Sequence, residues 1–195
     1  MHAVYTTKGW VLRNQTSGEA NATLTLYTEG FGLIRVHAQG LRRAASKLAP
    51  HCTLLSFGNF SLVKGKEVWR LIGAEKNFVN ADSSVRQLLA RIAKLVERLI
   101  QGEEKSSGIY HIIENLADFY HKDAGQDLVS PDRLIDGEIL ANLRLLYELG
   151  YLADKVEVRE HIADYTVERG HLEAVLARRK DLLVTVNKSL RESQM

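Results

Sequence analysis

At about Asn80 the spacing of apolar residues changes from every second position to every third or fourth, and no single kind of element carries both periods. Upstream, Ala22, Leu24 and Leu26 fall on one side of a strand and Thr23, Thr25 and Tyr27 on the other. Ile34, Val36 and Ala38 then alternate with Leu33, Arg35 and His37. The connection Thr28-Glu29-Gly30-Phe31-Gly32 has the glycines that a tight hairpin needs. Downstream, Val85, Leu88, Leu89, Ile92, Leu95, Val96, Leu99 and Ile100 trace one face of a helix. The chain therefore reads as α+β, with a β domain over 1–80 and an all-α helical domain over 81–195.

Within the β domain, Ala3 to Arg13 forms a long first strand, bulged or bent at Gly9, and the hairpin supplies two more. Thr53 to Val63 and Glu67 to Glu75 add a fourth and fifth, joined by Lys64-Gly65-Lys66. Five short strands at this spacing predict a small Greek-key barrel of the OB-fold kind, with an SH3-like barrel matching the periodicity nearly as well. In the helical domain, Asp82 or Ser83 caps the first helix. Ser107 caps a second that runs to Gly125, and Ser130-Pro131 opens a third that Gly150 closes. Val156 to Val167 is weakly helical. A last helix spans His171 to about Leu190, with Leu172, Val175, Leu176, Leu183 and Val186 inward and Arg178-Arg179-Lys180 outward.

Charge separates the same two halves. Residues 1–80 hold ten Lys/Arg against four acids, and the remainder holds sixteen against twenty, so a +6 front precedes a −4 back in a chain of net +2. A basic β domain is suited to a polyanion. Its cations gather in Gln39 to Lys47, where Arg42, Arg43 and Lys47 meet no acid, and at Arg35, Lys64, Lys66 and Arg70. Tyr27, Phe31 and Trp69 lie among them and could either stack on bases or fill the core. On the first helix Arg91, Lys94 and Arg98 form a basic stripe, and either this stripe or the Arg178-Arg179-Lys180 cluster is a candidate seat for an acidic peptide. The single Cys52 precludes an internal disulfide and a thiolate zinc cage. No run of 18 apolar residues and no apolar leader core occurs, so a cytoplasmic protein is expected. Metal-ligand spacing, a phosphate-cradling Gly-Lys-Ser/Thr and a nucleophile motif are all missing from the sequence, which predicts a binding protein without cofactor rather than an enzyme.

Several pieces in order resemble the bacterial RecO recombination mediators: Gly9-Trp10-Val11-Leu12-Arg13, Gly18-Glu19-Ala20, Leu24-Thr25-Leu26-Tyr27-Thr28 with Gly32-Leu33-Ile34, Gln39-Gly40-Leu41-Arg42-Arg43 with Ser46-Lys47-Leu48, and Leu143 to Tyr151. The resemblance implies an N-terminal OB-fold and a helical domain. It also implies binding of single- and double-stranded DNA, strand annealing, contact with the acidic C-terminal tail of the single-strand binding protein SSB, and loading of RecA together with RecR. By position, Arg42, Arg43 and Lys47 fall in that family's basic loop. Two departures stand out. Leu152 to His171 has no cysteine where many relatives carry a four-cysteine zinc module, so zinc is not expected, and the last forty residues match poorly. An adaptor with weak or no DNA binding and an RNA-associated OB protein are the alternative readings.

Overall fold

The structure is a computed structural model that describes residues 3–66, 68–80, 82–100, 102–122, 130–152 and 156–193. Glu67 and Gly125, read above as a strand start and a helix stop, lie outside them. The chain divides into two compact units, one of residues 1–80 with 93–110 and one of residues 81–92 with 111–195.

In the first unit β1 (Val4–Ser17), β2 (Asn21–Thr28), β3 (Gly32–Ala38), β4 (Phe57–Lys64) and β5 (Trp69–Phe78) close into a barrel in the order β1-β2-β3-β5-β4. All neighbours are antiparallel except β3 and β5, which meet in parallel at Val36↔Trp69 and His37↔Arg70. This is the OB arrangement. β1 serves two neighbours, pairing β4 through Val4 to Trp10 and β2 through Gly9 to Ser17. The changeover falls at Gly9, where the Phe60 ring and the Thr28 methyl close the space that a side chain would take. The bulge itself lies at Leu12, between Val11 and Arg13, not at Gly9. Leu55 N–H donates to the Val11 carbonyl at 2.8 Å and Val11 N–H to the Ser56 carbonyl at 3.0 Å beside it.

The barrel core is built from Val11, Leu24, Leu26, Ile34, Val36, Phe60, Leu62, Trp69 and Leu71, with Cys52 buried among them. Burial pushes the Cys52 thiol up to about 12. The fourth strand begins at Phe57 rather than Thr53. Ala49–His51 form a 3-10 turn, and Leu55 takes a left-handed φ of 63° that ends any strand there.

Asp82 caps α1 (Ser83–Leu99), its Oδ1 accepting from Ser84 N–H and Val85 N–H at 2.8 and 3.1 Å. Ser106, rather than Ser107, caps α2 (Ser107–Lys122) through a bond from Ile109 N–H. In the second unit α3 (Pro131–Glu148) starts on the Ser130 cap with Pro131 in its first turn, and Gly150 with φ +76° follows it. α3 is the centre, packed by α4 (Val156–Ile162), α5 (Arg169–Ala177) and α6 (Arg179–Glu192). The final helix expected from the sequence is thus two, broken at Arg178. The break resets the phase: Leu182, Val186 and Ser189 turn inward, whereas Leu176 and Leu183 are exposed.

Arg144 is the unexpected member of the α3 core. It is 2% exposed, and it donates from Nε to the His161 carbonyl at 2.8 Å and from Nη1 to the Thr166 carbonyl at 2.7 Å. Those bonds tie α3 to the last turn of α4 and to the chain that follows it. Burial lowers the Arg144 pKa, with Asp164 opposing, and burial also lowers that of the neighbouring His161.

Candidate nucleic-acid interface

The strand register aligns outward side chains of the barrel in rows. Arg13 on β1 stands opposite Thr25 on β2, and Thr25 opposite Arg35 on β3. The next row is Gln15, Thr23, His37 and, through the parallel pair, Arg70 on β5. Strands are about 4.8 Å apart, so Arg13 and Arg35 are set roughly 10 Å apart across β2. Between these rows and residues 97–102 runs a groove of about 640 Å³, lined mainly by Arg13, Gln15, Ser17, Thr23, Thr25 and Arg35 on its polar sides. Hydroxyls, an amide and guanidinium groups on a sheet surface are donors suited to phosphate oxygens. Arg35 and Arg70 are exposed and make no ion pair with a described residue. Arg13 is held by Glu97 at 2.7 Å.

The basic loop after β3 is fastened next to this surface. Arg42 N–H donates to the Ala20 carbonyl, and its guanidinium donates to the Gly18 and Glu19 carbonyls at 3.0 and 3.2 Å. Arg42 is therefore the anchor of the loop as well as one of its charges. Arg43 and Lys47 are exposed and unpaired with any described residue. Lys66 is likewise exposed in the β4–β5 turn. Lys64 instead donates to Glu103 at 2.7 Å and lies 5.0 Å from the Trp69 ring centre.

The aromatic platforms differ from the expectation. Tyr27 is 0% exposed and its hydroxyl donates to the Ser106 carbonyl at 3.2 Å, so its ring cannot stack on a base. Trp69 is 3% exposed and belongs to the core. Phe31 is half-buried against Trp69 and Tyr5, with ring centres 4.8 and 5.5 Å away. Tyr5, not singled out from the sequence, is the most open ring of that cluster at 39%. From Leu24 to Thr28 successive residues of β2 are buried on both faces, which its alternating sequence does not reveal.

The cations proposed for an acidic peptide are divided in the structure. Lys94 and Arg98 are exposed on α1 without an ion pair to a described residue. Arg91 is gripped by Glu138, Nε to Oε1 at 2.9 Å and Nη2 to Oε2 at 2.8 Å, and the hydrogen bond raises its pKa. Arg178 occupies the break between α5 and α6. Arg179 is committed inside its unit: it donates to both oxygens of buried Asp136 at 2.8 and 2.9 Å and to Asp132 at 2.9 Å. A guanidinium so occupied has little left for a peptide carboxylate, and Arg179 is better described as a clamp between α3 and α6. No group of three or more His, Cys, Asp or Glu among the described residues is placed to hold a metal ion. No helix among them is long and apolar enough to cross a membrane.

A closed five-stranded barrel with arginines on β1, β3 and β5 and hydroxyls of β2 between them, followed by helices, defines an OB-fold protein with a basic outer face. Residues 1–76 match the family model described as "Recombination protein O N terminal". Three similar curated proteins, each called DNA repair protein RecO, come from Thermoanaerobacter sp. (26% identical, covering 75% of this chain and 58% of the relative), Dehalococcoides mccartyi (33% identical, 42% and 33%) and Trichodesmium erythraeum (27% identical, 73% and 50%). The chain is thus similar to RecO proteins, and its residues 1–76 to their N-terminal domain. It spans between a third and three fifths of the length of these relatives.

Proposed function

We propose that the chain is a DNA repair and recombination mediator that holds DNA strands on the outer face of its barrel. The observation that carries this reading is the pair of arginine-bearing rows, Arg13-Thr25-Arg35 and Gln15-Thr23-His37-Arg70, on an OB-fold sheet. Arg43 and Lys47 extend the positive surface from a loop fastened by Arg42. Contacts of this kind go to phosphates. They make binding salt-dependent and nearly indifferent to base sequence, which suits a protein that must accept any broken strand.

The same surface explains annealing without a catalytic residue. Neutralising phosphate charge removes the repulsion between complementary strands, and base pairing does the rest. A non-enzymatic role follows. Its partners are single- and double-stranded DNA, with the SSB tail, RecR and, through them, RecA as protein partners implied by the similarity to RecO proteins. For an acidic tail, Lys94 and Arg98 are the members of the α1 stripe that are exposed without an ion pair to a described residue.

The test is fluorescence anisotropy of labelled single-stranded DNA titrated with the protein at two salt concentrations, repeated with R43E/K47E and R35E. Binding that weakens with salt and with each charge reversal supports the reading. Affinity unchanged by these reversals refutes it. Tighter binding of structured RNA than of DNA would move the protein to RNA.

A further inference from the structure

Residues 97–106, of which Gln101 lies outside the described residues, touch every strand of the barrel. Glu97 pairs with Arg13 of β1 at 2.7 Å. The Ser106 carbonyl accepts from Tyr27 of β2 at 3.2 Å. The Glu104 carbonyl lies over Gly32 of β3, where a Cβ would collide with it, and Gly32 has a φ of +66°. Glu103 accepts from Lys64 Nζ of β4 at 2.7 Å and from Trp69 Nε1 of β5 at 2.9 Å. The contacts are of two kinds. Those at Tyr27 and Gly32 are buried and uncharged, whereas those at Arg13 and Lys64 are ion pairs whose cationic side chains are each 50% exposed.

A carboxylate on a guanidinium or an ammonium occupies the donors that a phosphate would use. Glu97 stands in the wall of the Arg13-Arg35 groove itself. We propose that this segment is a built-in acidic competitor, in which Glu97 and Glu103 hold Arg13 and Lys64 until a nucleic-acid backbone displaces them. The proposal rests on the reading that the barrel binds nucleic acid, and adds how that binding is restrained. Exchange takes place at the two carboxylates while the Tyr27 and Gly32 contacts keep the segment in place. Glu103 is held ionised, its pKa lowered by the hydrogen bonds from Lys64 and then Trp69, so it competes as an anion throughout the neutral range. A restrained surface releases strands more readily than one with every cation free, and an annealing protein has to let its product go.

The experiment compares E97Q, E103Q and E75Q in the full chain by anisotropy with labelled oligo-dT. Glu75 is exposed on β5, carries the same charge and makes no ion pair with a described residue, so E75Q measures the general effect of losing one acid. E97Q and E103Q are each expected to bind roughly 1.5- to 5-fold more tightly than E75Q, as the usual strength of exposed ion pairs implies. A second measurement needs no altered segment: the indole N–H resonance of Trp69, identified with W69F, should shift on adding oligo-dT to the wild type, towards its position in E103Q. Affinities for E97Q and E103Q equal to that of E75Q, or an unmoved Trp69 resonance at saturating DNA, overturn the competitor. If R35Q weakens binding in the same series, the DNA-binding reading survives that result, and if R35Q is silent too, both fail.

Discussion

Replacing Arg35 by Gln separates a phosphate contact from a structural cation. Arg35 is exposed on β3, has no ion pair to a described residue, and stands across Thr25 from Arg13, so its loss removes a charge without leaving a partner stranded. For a single strand the logarithm of the binding constant falls by about 0.7 per decade of salt for each phosphate neutralised. If Arg13, Arg35, Arg70, Arg43 and Lys47 each meet one phosphate, the wild-type slope is about −3.5 and that of R35Q about −2.8. A charge-assisted hydrogen bond contributes about 1.5–3 kcal/mol when well formed. In this exposed setting about 1 kcal/mol is a better figure, or roughly a fivefold loss of affinity at low salt. R13Q should lose less, because Arg13 must first leave Glu97. R179Q is the control, since Arg179 is taken up by Asp132 and Asp136. Anisotropy over a salt series reads both quantities. An unchanged slope for R35Q, or an equal loss for R179Q, would refute the assignment of this face.

Other consequences concern the fold that carries the face. R144M leaves the His161 and Thr166 carbonyls without their donor in a buried site, and should destabilise the helical unit by about 3 kcal/mol, seen as an earlier urea transition in helical circular dichroism. Burial holds the His161 pKa below its ordinary value, against the pull of Glu160 and with Arg178, Arg144 and His171 acting in the same direction as burial. The unfolded chain then takes up the proton first. Stability should be full above pH about 6.5 and fall as the pH drops towards the lowered folded value, a dependence that H161N removes in melts at pH 5 and 7. G32A meets both a left-handed φ and the Glu104 carbonyl. It should cost about 2 kcal/mol or more and disturb the Tyr27–Ser106 contact, read by thermal melting and tyrosine fluorescence.

Much of the frame was legible because it depends on local periodicity. The change of period near Asn80, the β2–β3 hairpin and the Ser130-Pro131 to Gly150 helix need only neighbours along the chain to be read correctly. Arg35, Arg43, Lys47, Lys66 and Arg70 also emerge exposed, since cations in short polar turns or on alternating strand positions have nowhere to be buried. The basic character of the front half is likewise a property of composition. These features follow from the chain itself because backbone geometry and hydrophobic spacing act over a few residues.

Pairing between distant residues was decided only in three dimensions. Arg13 joins the face because β-register sets it beside Thr25 and Arg35, and a one-residue bulge at Leu12 is what keeps that row in line. Tyr27 looks like a surface ring until residues from 79 positions later cover it. Arg179 and Arg91 look like free charges until Asp136, Asp132 and Glu138 close on them, and Arg144 looks like a surface arginine until it is found in the core bonding two carbonyls. The same holds for the acids of 97–106, which are ordinary helix-end residues in sequence and anions on the barrel's cations in the fold. Electrostatic partners are chosen by proximity in space, which alternation and helical spacing do not encode.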